Sequence, residues 1–449
     1  MDQTSVLLQR SLRGFSQEVV EELSGLKGEP NWMRQRRLEA WHVYQATPMP
    51  TTQDEYWRRT DLSRLPLDQL IPFAEAPAQA ATPQGLPREL AAAMGGGQEA
   101  GLLVQHDSQA VYQALAPEAA QKGVIFTDMD RALREHPQLV RQHFMTTALT
   151  PHHGKFTALG GALWSGGAFL YVPQGVEVVL PIRSALWLAT PSLAVFPHTL
   201  VVAEAGAKVS FIEEHLSPPL AGAAFNGGAV EVVLGEGAQC YYVNVQQMDT
   251  AVANIVAQRM LMGPASSLDY LAIALGGGLS KAFVEAELVG DGARACMLGV
   301  VFGDGDQHFD FQSLQDHVGP HTASDLLFKV ALKGRAMSVF MGNVKVRTGA
   351  RRTDASQTIR NLLLSDQAKA HPIPMLEIEA SDIRRCSHAT AVGQVDEAQL
   401  FYLMTRGLSR QEAERLIIDG FFEPVIEQIP LPQVQQRLRQ AIGRKLAYS

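Results

Sequence analysis

Near the end of the stretch 352–393, RTDASQTIRNLLLSDQAKAHPIPMLEIEASDIRRCSHATAVG, a cysteine and a histidine stand two residues apart as Cys386 and His388. Thiolate and imidazole are the side chains best suited to soft metals and to sulfur chemistry. In an extended strand, residues two apart project from the same face, so this spacing aims both groups at one ligand or one neighbouring subunit. Arg384 and Arg385 immediately before them would favour the thiolate. Two ligands fall short of a complete metal site, and an incidental structural pair is the competing reading.

The other chemistry-bearing candidates are weaker. In GDGDQHFDF, Asp304, Asp306, His308 and Asp310 could bind calcium or act as acid and base, but Asp and Gly together read first as a solvated turn. His152 and His153 follow Pro151, and His317 and His321 lie four apart; with no cysteine or carboxylate at ligand spacing, both pairs read as surface or interface histidines. Cys240 and Cys296 sit in strand-like runs and read as buried structural thiols. The strings GGGLSKAF at 276–283 and HGKFT at 153–157 lack the spacing of a phosphate loop, so any ATP chemistry must come from a partner.

The elements that position these residues fall into three regions. Residues 1–150 read as a helical and irregular domain: Gln17 to Leu26 and Trp32 to Tyr44 carry apolar residues at helical spacing, and a loop rich in Ala, Pro and Gly runs from Ala74 to Gly101. Residues 151–393 change to short Val, Leu, Ile, Phe and Tyr runs separated by similar turns. Gly175, Gly206 and Gly237 recur at steps of 31, and Gly263 and Gly292 continue the series at shorter intervals. A strand, glycine turn, strand unit without intervening helices is what a parallel β-solenoid requires, each coil burying its inward side chains on the last. A β-sandwich is the alternative. Residues 394–449 return to helix: Ser409 and Glu412 form a capping box before Ala413, Leu416 and Ile417, the segment stops at Gly420, another helix starts at Phe421, and a last one follows Pro432. Such a tail can cap the solenoid or dock another protein.

Composition narrows the function. A net charge of −8 and a pI near 5.9, without a basic stripe, argue against a nucleic-acid partner. Three scattered cysteines exclude a disulfide framework. The first residues carry no signal or transit pattern, and no apolar run reaches membrane-spanning length, so a reducing cytoplasm without membrane partners is expected.

Several blocks resemble the SufB/SufD family of iron–sulfur cluster assembly proteins, and within it the SufD branch. They are Thr353, Asp354, Ala355 and Gln357, RNLLLSD at 360–366, LEI at 376–378 and CSH at 386–388. ALWSGGAFLYVPQGVEVVLPI at 162–182 is similar to the family's first β-coil, EPNWMRQRRLEAW at 29–41 with PMPTTQDEYWRRTDL at 48–62 to its amino-terminal block, and QLFYLMTRGLSRQEAERLIIDGF at 399–421 to its carboxy-terminal helices. The resemblance implies a mainly β protein, a right-handed parallel β-helix flanked by helical domains. It further implies a non-catalytic scaffold subunit that pairs with SufB through the β-helix ends and binds the ATPase SufC through its carboxy-terminal helices, here Leu408, Ala413, Leu416, Ile417, Phe421 and Phe422. His388 would then stand at the SufB interface as a candidate iron ligand completed by partner residues, with Cys386 beside it. No cofactor would be held stably by this chain alone; an iron–sulfur cluster would be present transiently at the interface, and the isolated chain could form a homodimer. Ala389 replaces a glycine common in the family, IRNLLLSD lacks the cysteine expected of SufB, and YLMTRGL and IIDGFFEPV lean toward SufB. A homodimeric scaffold without a cluster role and a β-helix carbohydrate-active enzyme are the alternatives; the enzyme should show a secretion signal and a tight carboxylate cluster.

Overall fold

The computed structural model describes residues 14–447 apart from 64, 76, 78, 81, 83, 84 and 95–97. Of the amino-terminal stretch read for a targeting signal, residues 1–13 lie outside the described residues, as does part of the Ala74 to Gly101 loop, whose described part holds a helix, Arg88–Met94.

Two sheets of ten and eleven strands face each other through a parallel β-solenoid of about eight turns. Alternation builds the coil. In Gln239–Gln247, Cys240 and Tyr242 enter the interior while Tyr241, Val243 and Val245 face outward into a second core under the carboxy-terminal helices. Burial on both faces turns the period-two pattern into a continuous apolar run, which is why the strands read as solidly hydrophobic. Register carries like side chains into stacks: Phe211, Tyr242 and Tyr270 follow one another with ring centroids 5.7 and 6.0 Å apart. At the corners Gly206 and Gly237, left-handed residues donate their N–H groups to a carbonyl of the next coil, Glu236 and Pro264 respectively. Gly263 does not belong to this series. Ala265, with φ 51°, takes the corner and donates to Asp291.

The first region is not only helical. Gly101–His106 and Gln109–Leu115 form an antiparallel hairpin whose first strand joins the ten-stranded sheet beside Ile182–Trp187, and Ile125–Asp128 pairs antiparallel with Ala168–Val172 in the other sheet. The hairpin turn places Asp107 at φ 53° without a glycine, so no turn signal marked it. These strands close the amino end of the solenoid. The expected helices stand as Gln17–Leu26, capped by the Ser16 hydroxyl, and Asn31–Ala46. With the buried helix Lys155–Leu163 they cover the outer face of the eleven-stranded sheet. Glu231, wholly buried on that face, accepts hydrogen bonds from the Met145 and Leu149 amides at 2.7 and 3.0 Å and lies 2.8 Å from His198 Nε2.

Carboxy-terminal helices run over Glu397–Thr405, Arg410–Ile426 and Pro432–Ala447. The expected break at Gly420 does not occur. A glycine costs about 1 kcal/mol within a helix, less than the gain from burying Ile418, Phe422, Val425 and Ile426 of the same helix against the ten-stranded sheet. Lys329 Nζ donates to the Phe421 carbonyl at 2.6 Å, and Arg437 pairs with Glu214, pinning these helices to the coil. Among the described residues no helix is long and apolar enough to cross a membrane.

Candidate functional site

Cys386 and His388 lie on Ile383–Gln394, the last strand of the ten-stranded sheet. Parallel register sets Cys386 beside Ala355 and His388 beside Gln357, both of which point into the coil. The two side chains therefore share the inward face, as their spacing predicts. They differ in burial because this coil is the last. Cys386 is half-buried in a small apolar cluster with Leu376, Ile383, Ala355 and Val344, whereas His388 stands exposed in the mouth of the solenoid. Beneath it Gln357 is 1% exposed and its Oε1 has no partner among the described residues.

Burial pushes the Cys386 thiol above its ordinary pKa. The expected help from the neighbouring arginines is absent for Arg385, whose guanidinium is spent on Asp354 at 2.8 Å. Among the described residues no group of three His, Cys, Asp or Glu could hold a metal ion. From this chain the mouth thus supplies one accessible imidazole and one thiol held neutral by burial.

The backbone around the pair is distinctive. Val395 N–H donates to Leu363 O, so odd-numbered residues of this strand turn their peptide groups toward the sheet, and Cys386, His388, Thr390 and Val392 turn theirs toward the free edge. The neighbouring free edge, Lys369–Ile378, behaves differently. Lys369 and Glu379 donate inward, to Ala336 and Val346, which leaves the even-numbered positions facing out, and two of these are Pro372 and Pro374. Prolines without N–H groups guard that edge against strand addition. The edge carrying Cys386 and His388 is unguarded.

The expected ATPase-docking residues separate on the structure. Phe422 is buried against the chain's own solenoid and Ala413 is buried, so neither side chain is open to a partner, whereas Phe421, Ile417 and Leu408 are half-buried. Leu416 is 52% exposed. The sequence reading missed Phe401, 69% exposed, with Tyr402 and Met404 beside it on Glu397–Thr405. Four consecutive large apolar residues, Phe401, Tyr402, Leu403 and Met404, more than one helix face can bury, were the available signal.

Other candidates move too. Asp310 is not a solvated turn residue: it is buried, paired with Lys281 and hydrogen-bonded by the Thr60 hydroxyl. Asp306 does lie in an exposed turn, 2.6 Å from Arg335. His317 is not a surface histidine; its two ring nitrogens lie 2.8 Å from the Thr322 and Ser324 hydroxyls with no solvent contact. His321 is exposed, 2.8 Å from Asp291, and His152 and His153 are exposed. Burial raises Cys240 to about 12 and Cys296 to about 11, as inert thiols require.

Comparison with known proteins agrees with this architecture. Residues 187–421 match the SUF system FeS cluster assembly SufBD core domain, and residues 102–183 match the SufBD protein N-terminal region. The chain is 33% identical to the iron–sulfur cluster assembly protein SufD of Bacillus subtilis over 435 residues, covering 96% of this chain and 98% of that protein. An iron–sulfur cluster assembly SufBD family protein of Staphylococcus saprophyticus is 30% identical over 431 residues, 94% of this chain and 91% of the relative. The chain therefore belongs to the SufB/SufD family of iron–sulfur cluster assembly proteins, as a homologue of SufD.

Proposed function

We propose that this chain is the SufD-type subunit of a cytoplasmic cluster-assembly scaffold, joining a SufB partner edge to edge at the mouth of its solenoid and presenting His388 there. The observation that carries this reading is the asymmetry of the solenoid ends. The amino end is closed by a hairpin, one carboxy-terminal edge is guarded by prolines, and the unguarded strand is the one bearing Cys386 and His388. A strand of the partner added there would bring its own ligands to an imidazole that lacks them in this chain. The cluster is cargo, held transiently between the subunits. Without SufB the same edge is available to a second copy of the chain.

Co-expression with SufB and SufC tests this. His388→Ala should leave the complex mass unchanged and abolish cluster absorbance on anaerobic reconstitution; normal reconstitution would reduce His388 to a structural role. Thr390→Pro deletes an N–H on the free edge while sparing the ladder to Thr353–Leu363, and should weaken the SufB pairing by about tenfold or more, the worth of roughly 1.4 kcal/mol. Unchanged pairing would sink the edge-to-edge geometry.

The ATPase SufC would dock on the exposed apolar face of Glu397–Thr405 and Leu416. Phe401→Ser with Tyr402→Ser should remove SufC from the purified complex and leave the SufB pairing intact. Retention of SufC would move its site elsewhere.

A further inference from the structure

One column of inward side chains runs along the ten-stranded sheet to the mouth of the solenoid. Parallel register stacks Phe211, Tyr242, Tyr270, Met297 and Leu326 on successive coils, then Gln357, then His388. The first five are apolar or aromatic and at most 1% exposed. The column gains an amide only on the coil directly under the imidazole, where Gln357 is itself 1% exposed.

A buried amide in such a column costs stability unless both of its ends are bonded. Here one end is. Gln357 Nε2 donates to the Gly342 carbonyl at 3.3 Å, and Oε1 has no partner among the described residues. The opposite sheet makes room for this amide: a Cβ at position 342 would stand 2.2 Å from Gln357 Nε2, whereas the Gly342 backbone itself asks for no glycine. With the nitrogen anchored, the oxygen is the free end. Neighbouring strands lie about 4.8 Å apart, so an imidazole lowered onto the column brings a ring N–H to that oxygen. In the chain alone His388 is exposed and its nitrogens are open to solvent. A partner strand laid over the mouth excludes that water, and the ring N–H then needs an acceptor. A proton held on one ring nitrogen by a hydrogen bond leaves the lone pair on the other.

We infer that Gln357 is a positioning residue for His388, its Oε1 accepting one ring N–H so that the other ring nitrogen presents its lone pair across the mouth to the iron cargo. The inference rests on the reading of His388 as the interface imidazole.

Anaerobic reconstitution of the complex co-expressed with SufB and SufC tests it, with Gln357→Met and Gln357→Glu compared. Methionine keeps the length of the side chain and removes the acceptor. It should lower cluster absorbance by about tenfold or more, as losing a bond that orients a ligand does. Complex mass should not change, and the melting temperature should equal or exceed that of wild type, because a buried unpaired oxygen has gone. Glutamate keeps an acceptor oxygen at the same reach and should restore most of the absorbance. A purely structural role predicts the reverse order, with the apolar variant tolerated and the buried carboxylate not. Gln357→Leu, which repeats the residue one coil below, serves if the methionine variant does not fold. His388→Ala separates the two levels of the argument. Normal reconstitution in that variant would remove the reading of His388 itself. Loss in His388→Ala together with wild-type absorbance in Gln357→Met, or with glutamate no better than methionine, would overturn the Gln357 assignment alone.

Discussion

Lys281→Met is expected to destabilise the chain by about 3–5 kcal/mol, because it leaves the buried Asp310 carboxylate without its counter-charge. Lys281 has no solvent exposure, and burial lowers its pKa against the opposing pull of Asp310. Its ammonium also donates to the Tyr56 carbonyl at 2.8 Å and lies 4.5 Å from the centre of the Trp57 ring. Thr60 and Gln312 add bonds from the two sides of the same contact. Losing the lysine therefore strips the 47–60 segment of its attachment as well as orphaning a charge. Urea unfolding should show the lowered midpoint, and limited proteolysis should cut within 47–60 first. Removing both charges in Lys281→Met with Asp310→Leu should recover most of the loss, since a buried pair costs more to break than to replace. A single variant within 1 kcal/mol of wild type would refute this account.

Acid should expose the second large effect through His317. Its pKa in the folded chain is lowered from 6.5 to about 4, by burial first and against the attraction of Asp316. Between those values the unfolded chain takes up a proton that the folded chain refuses. The histidine's contribution to stability is therefore intact above pH 6.5 and drains away as the pH falls to about 4. A shift of this size corresponds to about 3 kcal/mol. His317→Gln, which cannot titrate, should flatten the stability profile across that window by a similar amount relative to wild type. Superimposable profiles would mean that the imidazole is protonated in place.

Much of this molecule is legible residue by residue. The two-residue spacing of Cys386 and His388 places them on one face of one strand, and the structure keeps them there. The capping box at Ser409 and Glu412 starts a helix where it was expected. Both depend only on neighbours within a few positions. The misreadings share the opposite character. Asp310 looked like a turn residue because its partner Lys281 is 29 positions away and Thr60 is 250 away. Gly420 looked like a helix end because the sheet that rewards continuing the helix lies far off in the chain. Phe422 looked available for a partner for the same reason. The hairpin at Gly101–His106 and Gln109–Leu115 escaped notice because its turn uses Asp107 and Ser108 and no glycine.

By itself the sequence determined the family, through blocks spread along the chain, and the family implied the coil; the spacing of strands and glycine turns alone had left a β-sandwich open. Tertiary structure alone decided which surfaces are left for other molecules. A strand edge is open or guarded only relative to the strands stacked on it. A carboxylate is solvated or paired only when distant segments meet, and a helix face is core or dock only once the sheet beneath it is present. Burial and pairing are properties of neighbours in space, and spacing along the chain carries no record of them.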